Sequence, residues 1–296
     1  MTQCSLDSQN DLVAFLDRIS VSPFPPQCRN FPVFQSSHTS LQVAAEQSTA
    51  IVLRTVEFSE TSLIVTLLTR DLGRVSAIAK GARRPKGPFE GALDLLAVCR
   101  VVVLRKSSDS LDLLTEAKLH KRFRGGERSL ERVYGGYYMA EMLRLLTDDH
   151  DPHPDVYDLT IRTLQQIDGS GEVGSSLTYF DAQILRMLGH SPGTDLCTDC
   201  GSEVKCSGRI AFSLTSGGIV CDQCRARQRQ TISVRVGVIE EIRRLQASTT
   251  ELPTHVPEEL YGELRAILNR YIQTVVGSVP RMQPFLPSVT RTETNA

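Results

Sequence analysis

From about Thr49 the apolar positions fall in short, β-branched runs at 51–58, 63–69, 75–79, 93–104 and 111–117. Five runs of this length and spacing predict the strands of a small antiparallel barrel. The breaks between them are turn-like. Residues 57–61 are polar, Asp71-Leu72-Gly73 closes the second strand pair, and Ser107-Ser108-Asp109-Ser110 separates the last two runs. Between the third and fourth runs, Gly81-Ala-Arg-Arg-Pro-Lys-Gly-Pro-Phe89 combines Gly, Pro and cations, the composition of an exposed loop.

Beyond about His120 the period lengthens to that of helices. Leu130, Val133, Tyr137, Tyr138, Met142, Leu145 and Leu146 recur at three and four, followed by Val156, Leu159, Leu164 and Ile167, and then Leu177, Phe180, Ile184, Leu185 and Leu188. Asp151-Pro152-His153-Pro154 and the stretch 169–174 divide these into three helices, and 236–245 and 258–276 read as two more. Residues 1–47 hold Pro23, Pro25, Pro26 and Pro32 with one short apolar patch, and read as a flexible extension. Leu12, Val13, Phe15, Leu16 and Ile19 leave open a short amphipathic helix for a partner. The expected architecture is therefore α+β: an extension (1–47), a five-stranded OB-like barrel (48–120), a helical domain (121–280) and a disordered tail (281–296).

Composition agrees with a folded chain, with 296 residues, 41% hydrophobic and 23% charged. No run approaches the ~20 apolar residues of a membrane span, and Met1 to Asn10 carry no cationic leader, so the cytoplasm is the expected compartment. The net charge of -1 argues against a nucleic-acid binder only if charge is evenly spread. It is not: Arg70, Arg74, Lys80, Arg83, Arg84 and Lys86 face Asp71 alone in their stretch, and Lys118, Lys121, Arg122, Arg124 and Arg128 form a second cluster. Charge runs are usually solvated faces, yet two of them flanking a barrel favour a polyphosphate groove. Phe89 and Phe123 stand beside these cations; base stacking and core packing are both open to them.

Five of the eight cysteines lie between Cys197 and Cys224. Cys197-Thr-Asp-Cys200 and Cys221-Asp-Gln-Cys224 can each turn two thiolates toward one ion, and the intervening hairpin brings the pairs together, which predicts a structural zinc site inserted at 197–224. Cys206 is a possible substitute ligand; Cys4, Cys28 and Cys99 are scattered. Four thiolates leave no open position for water, and neither His-x-Glu nor His-Glu-x-x-His occurs among the six histidines, so zinc hydrolase and deaminase chemistry are disfavoured and no catalytic residue is assigned. Gly169-Ser-Gly171-Glu-Val-Gly174 has dinucleotide-fingerprint spacing without a preceding strand, and reads as a helix-to-helix linker.

The stretches Ile51-Val-Leu-Arg-Thr, Phe58-Ser-Glu-Thr-Ser-Leu-Ile-Val-Thr-Leu-Leu-Thr-Arg-Asp-Leu-Gly73 and Ala79-Lys-Gly-Ala-Arg-Arg84 resemble the opening strands of the RecO family. Leu185-Arg-Met-Leu-Gly-His-Ser-Pro192 leading into Cys197-Thr-Asp-Cys-Gly201, with Phe212-Ser-Leu-Thr-Ser-Gly-Gly-Ile-Val-Cys221, is similar to that family's helix-to-zinc portion. The resemblance spans roughly 48–275. It implies binding of single- and double-stranded DNA, annealing of complementary strands, and cooperation with RecR to place RecA on strands coated by single-strand-binding protein, without nucleotide hydrolysis. An RNA-binding or translation-associated zinc protein is the alternative that barrel, zinc and cations serve equally well.

Overall fold

The computed structural model describes residues 45–84, 87–89, 91–106, 110–205, 207–247 and 255–286. Strands β1 (Ala45–Glu57), β2 (Leu63–Thr69), β3 (Arg74–Ala79), β4 (Val98–Leu104) and β5 (Asp112–Lys121) close into a barrel in the order β1-β2-β3-β5-β4. Closure depends on the length of β1. Its first part, from Ala45 to Ile51, pairs with β4, and its second, from Ala50 to Glu57, pairs with β2. The register slips between Val52 and Arg54, an irregularity that lets one strand bend between two partners. The last seam is a short parallel pairing of Ala77, Ile78 and Ala79 with Asp112, Leu113 and Leu114.

The interior of the barrel is narrow, and small side chains such as Ala50, Ala77, Ala79 and Ala117 fill it with Val52, Val65, Leu67, Val101 and Val103. Phe89, Ala92, Leu93 and Ala97, from the chain between β3 and β4, complete this core. Residues 93–97, expected as the start of the fourth strand, are instead a turn: Leu96 has φ 63° and its N–H donates to Val52 O at 2.8 Å. They are apolar because Leu93 and Ala97 fill the barrel while Leu95 and Leu96 pack into the helical core, rather than because they pair. The first strand also starts earlier than expected. Ala45, Glu46 and Gln47 pair with Leu104, Val103 and Val102, so the expected extension loses its last three residues to β1. Residues 1–44, with the apolar patch at 12–19, lie outside the described residues.

Ile51, Leu53, Leu68 and Leu96 face outward from the barrel into the helical core. This explains why 50–53 are buried on both faces, as a continuous apolar run implies. The helices are α1 (Leu130–Leu146), α2 (Pro154–Asp168) and α3 (Val173–Met187), followed after the cysteine-rich segment by α5 (Val236–Ala247) and α6 (Glu258–Val276). Ser129 caps α1 by accepting the Arg132 N–H, and Pro154 opens α2, both ordinary helix starts. Of the glycine-rich stretch 169–174 expected as a linker, 169–172 joins α2 and α3, and Val173 and Gly174 already belong to α3. Every residue of α3 from Val173 to Leu185 is buried, which makes it the central helix.

The polar groups of α3 are met inside the core. Asp181 accepts from Tyr138 Oη at 3.0 and 2.9 Å and from Arg265 Nη1 at 2.6 Å, while Gln183 Nε2 donates to Leu245 O at 2.6 Å. Past Pro280 the expected fraying is not seen: the N–H groups of Arg281 and Met282 each donate to the Glu141 carboxylate at 2.8 Å, Met282 is buried, and a 3-10 turn (Gln283–Phe285) brings Phe285 to Tyr134. The anchor is a side chain on α1, remote in sequence. Residues 287–296 lie outside the described residues. Among the described residues no helix is long and apolar enough to cross a membrane.

Candidate nucleic-acid interface and metal centre

The basic residues marked by the sequence fall into two kinds. Arg70 makes a two-pronged contact with Asp158 on α2, at 3.1 and 3.0 Å, and these contacts raise its pKa. Arg74 meets Asp149 at 2.7 Å and donates to Arg144 O at 2.5 Å. Both side chains therefore join the β2–β3 corner to the helices. The same corner is sealed by Gly73, at φ 73°, where an added Cβ would lie 2.4 Å from the Asp151 backbone nitrogen; no larger residue fits there.

Lys80 and Arg84 are exposed, with no ion-pair partner among the described residues, whereas Arg83 reaches Glu57 at 3.1 Å. Lys86 lies outside the described residues. In the second cluster, Arg122 pairs with Asp94 at 2.9 Å, and Arg128 donates to Gly169 O at 3.2 Å, where α2 ends. The backbone N–H of Arg124 is held by Asp168 at 2.7 Å, and the side chains of Arg124 and Lys121 are exposed. Phe89 is buried inside the barrel and Phe123 packs against the helical core; of the two readings left open for them, core packing holds.

Two further sets of cations escaped the sequence reading, the first being Arg100, which joins Lys118 of the second cluster. Arg100 on β4 lies directly opposite Lys118 on β5, both exposed on the outer wall and neither with an acidic partner among the described residues. Period-two alternation along β4, with Cys99, Val101 and Val103 inside, was the signal that marks Arg100 as outward. Where the β3–β5 pairing stops, an open cleft of about 500 Å³ begins, lined by Gly87 and Pro88 on one side and by residues 115–119, Lys118 included, on the other. The second group, Arg225, Arg227 and Arg229, follows the last cysteine and is exposed.

The cysteine cluster is built on a three-stranded sheet of β6 (Arg209–Ser213), β7 (Gly218–Val220) and β8 (Thr231–Arg235), in the order β7-β6-β8. Cys197 and Cys200 lie on a knuckle whose tight return is made by Gly201, at φ 72°, with its N–H on Cys197 O at 2.8 Å. Cys221 follows β7 directly, and Cys224 is on the single-turn helix α4 (Asp222–Arg225). The four sulfurs all lie within 4.8 Å of one another, and Cys200 Sγ is 3.8 Å from Cys221 Sγ. Such a cluster can hold a metal ion.

The local field favours the thiolates of Cys197 and Cys221, whereas hydrogen bonds with Asp199 and Cys200, with burial, push the Cys224 thiol up. Burial works against the Cys197 thiolate, but the backbone N–H groups of Cys221, Cys200 and Asp199 outweigh it and pull the thiol down to about 6. The Cys224 N–H does the same for Cys221. Cys206 lies outside the described residues.

Comparisons with known proteins identify relatives of this chain. Residues 44–123 match the family model described as Recombination protein O N terminal, and residues 127–283 match Recombination protein O C terminal. The DNA repair protein RecO of Rhodopirellula baltica is 53% identical, covering 80% of this chain and 97% of the relative. Those of Myxococcus xanthus and Anaeromyxobacter sp. strain K are 31% and 32% identical, each over 81% of this chain, and over 96% and 95% of the relatives. With the two family models together matching most of the chain and the relatives covered almost entirely, the chain belongs to the RecO family of DNA repair proteins.

Proposed function

We propose that this chain is a non-catalytic mediator of recombinational repair that binds single- and double-stranded DNA, anneals complementary strands and, with RecR, helps place RecA on strands coated by single-strand-binding protein. The observation that carries DNA binding is the Arg100–Lys118 pair. Like charges directly opposite in a sheet destabilise it, and a phosphate backbone following the cleft beside Lys118 relieves that repulsion. Lys80 and Arg84 extend the positive surface along the loop that forms the other wall. Strand order β1-β2-β3-β5-β4 supports an OB-like barrel, an architecture whose β2–β3 face and adjoining loops take oligonucleotides. In this reading Arg83, Lys86, Lys121, Arg122, Arg124 and Arg128 add phosphate contacts around it, while Arg70 and Arg74 hold the barrel against the helices.

The metal in this reading is zinc in a structural role. Bonds of about 2.3 Å at tetrahedral angles place sulfurs about 3.8 Å apart, in agreement with the separation of Cys200 and Cys221. Four thiolates close the coordination sphere, so the ion holds the fold of 197–224 and exposes no Lewis-acid position. The protein works in the cytoplasm at the nucleoid. The test is annealing of complementary oligonucleotides, bare and coated with single-strand-binding protein. We expect faster annealing in both cases; a folded, metal-loaded chain that accelerates neither sinks the proposal. Competition by structured RNA that outweighs single-stranded DNA would favour the RNA-binding alternative.

A further inference from the structure

Among the described residues only two aromatic rings are exposed, Phe58 and Phe285. Phe285 has a ring neighbour in Tyr134 at 5.3 Å. Phe58 is 58% exposed and has no ring partner among the described residues. It stands at the tip of the β1–β2 hairpin, where its N–H donates to Ser62 O at 3.0 Å. The backbone of the tip is thus closed, and the ring projects from a fixed base.

That tip is tied to the basic loop. Arg83 donates its N–H to Thr61 O at 3.1 Å, and its guanidinium meets Glu57 at 3.1 Å. The unpaired cations of the loop, Lys80 and Arg84, flank Arg83 in sequence and sit in the same turn. Glu60 is the remaining acid on the tip. A rigid aromatic face beside two free cations matches a nucleotide whose base is unpaired: the face takes the base and the cations take phosphates.

We propose that Phe58 is a stacking platform for one unpaired base, with Lys80 and Arg84 holding the adjoining phosphates, so that this corner binds single strands in preference to duplex. The inference rests on the DNA-binding reading above and adds to it the residue that separates the two forms of DNA. In a duplex the base faces are already stacked on one another, so only the phosphate contacts remain and Phe58 contributes nothing. The site has no base preference, because every base offers a π-face.

The chain contains no Trp, so Phe58→Trp makes the full-length protein report on this position alone. We expect its emission to be quenched by oligothymidylate over the same concentrations that raise the anisotropy of a labelled oligonucleotide, and to be little changed by a duplex of equal length. Phe58→Ala should weaken binding of the single strand by about 5- to 150-fold, the range for loss of one base–aromatic stack, and leave duplex binding within about twofold. Thermal unfolding of both variants should match the parent, since the side chain lies in solvent. Unchanged single-strand affinity in Phe58→Ala, or no quenching in Phe58→Trp at saturation, overturns the platform while DNA binding itself stands; a ring reserved for a protein partner would give this result. Absence of DNA binding by the unaltered chain overturns the underlying reading and the platform with it.

Discussion

The Asp181–Arg265–Tyr138 group shows how much a single buried side chain is asked to do. Arg265 is within the helical core, where burial disfavours its charge, and the Asp181 carboxylate more than offsets that and holds its pKa above the usual range. Arg265 also donates to Asn269 at 3.1 Å, and its guanidinium carbon lies 5.9 Å from the centre of the Tyr138 ring. Replacing Asp181 by Asn strands a buried cation, which typically costs about 3–5 kcal/mol; chemical denaturation should show a loss of that size with an unchanged slope. In the proposed reading the cysteines act through the metal that they hold. Cys200→Ser or Cys221→Ser should lose the metal and lower the melting temperature by on the order of 10 °C, as should a strong chelator on the parent, read by metal analysis and calorimetry on the same samples. Legibility differed sharply between these two sites. The cysteines lie three apart in local turns, so their spacing alone carries the chemistry, whereas Asp181 and Arg265 are 84 residues apart and look like two charges on two amphipathic helices.

Between elements, Glu263 on α6 joins the three-stranded sheet beside the cysteine cluster to the helices. It accepts from Arg209 at 2.8 Å and from the Arg235 N–H at 3.1 Å, and it ion-pairs with the Arg235 guanidinium. Partial burial works against its charge, but the bonds to Arg235 and the field of Arg209 prevail and hold its carboxyl below the ordinary 4.5. A carboxylate with a lowered folded pKa contributes stability that is present above the unfolded value and is lost as pH falls through the folded one. Glu263→Gln should therefore cost about 1–3 kcal/mol at neutral pH, and urea midpoints measured downward from pH 5 should fall less steeply in the variant than in the parent. Equal acid sensitivity in the two proteins would remove Glu263 from this role. The helices were legible because a period of three and four survives burial on one side, and 258–276 was readable end to end for that reason. Strand ends were less so. Residues 93–97 are as apolar as a strand because they pack into the barrel and helical cores, and Glu46 and Gln47 are polar although they pair with β4; in both places tertiary position overrides the local pattern.

For the whole molecule, the net charge of -1 conceals a surface where cations are either spent on internal acids or left free. The sequence marked the clusters but not the division, because Asp149 and Asp158, which occupy Arg74 and Arg70, are distant in the chain. The free set makes a definite prediction. The double variants Lys80→Glu with Arg84→Glu, and Arg100→Glu with Lys118→Glu, should each weaken binding of single strands and flatten the plot of log affinity against log salt by about 0.7 per lost phosphate contact. Arg70→Ala should leave that slope unchanged. A parental slope in both double variants would move the DNA path off the barrel. The same barrel also has a history in time, set by β1. Its second part meets β2 a few residues later, but its first part must wait for β4, which begins at Val98. At a synthesis rate of about 5–20 residues per second, the chain leaving the ribosome holds 45–51 as an unpaired edge for about 2–10 seconds. During that interval a second nascent chain offers the same edge, and pairing between copies competes with closure.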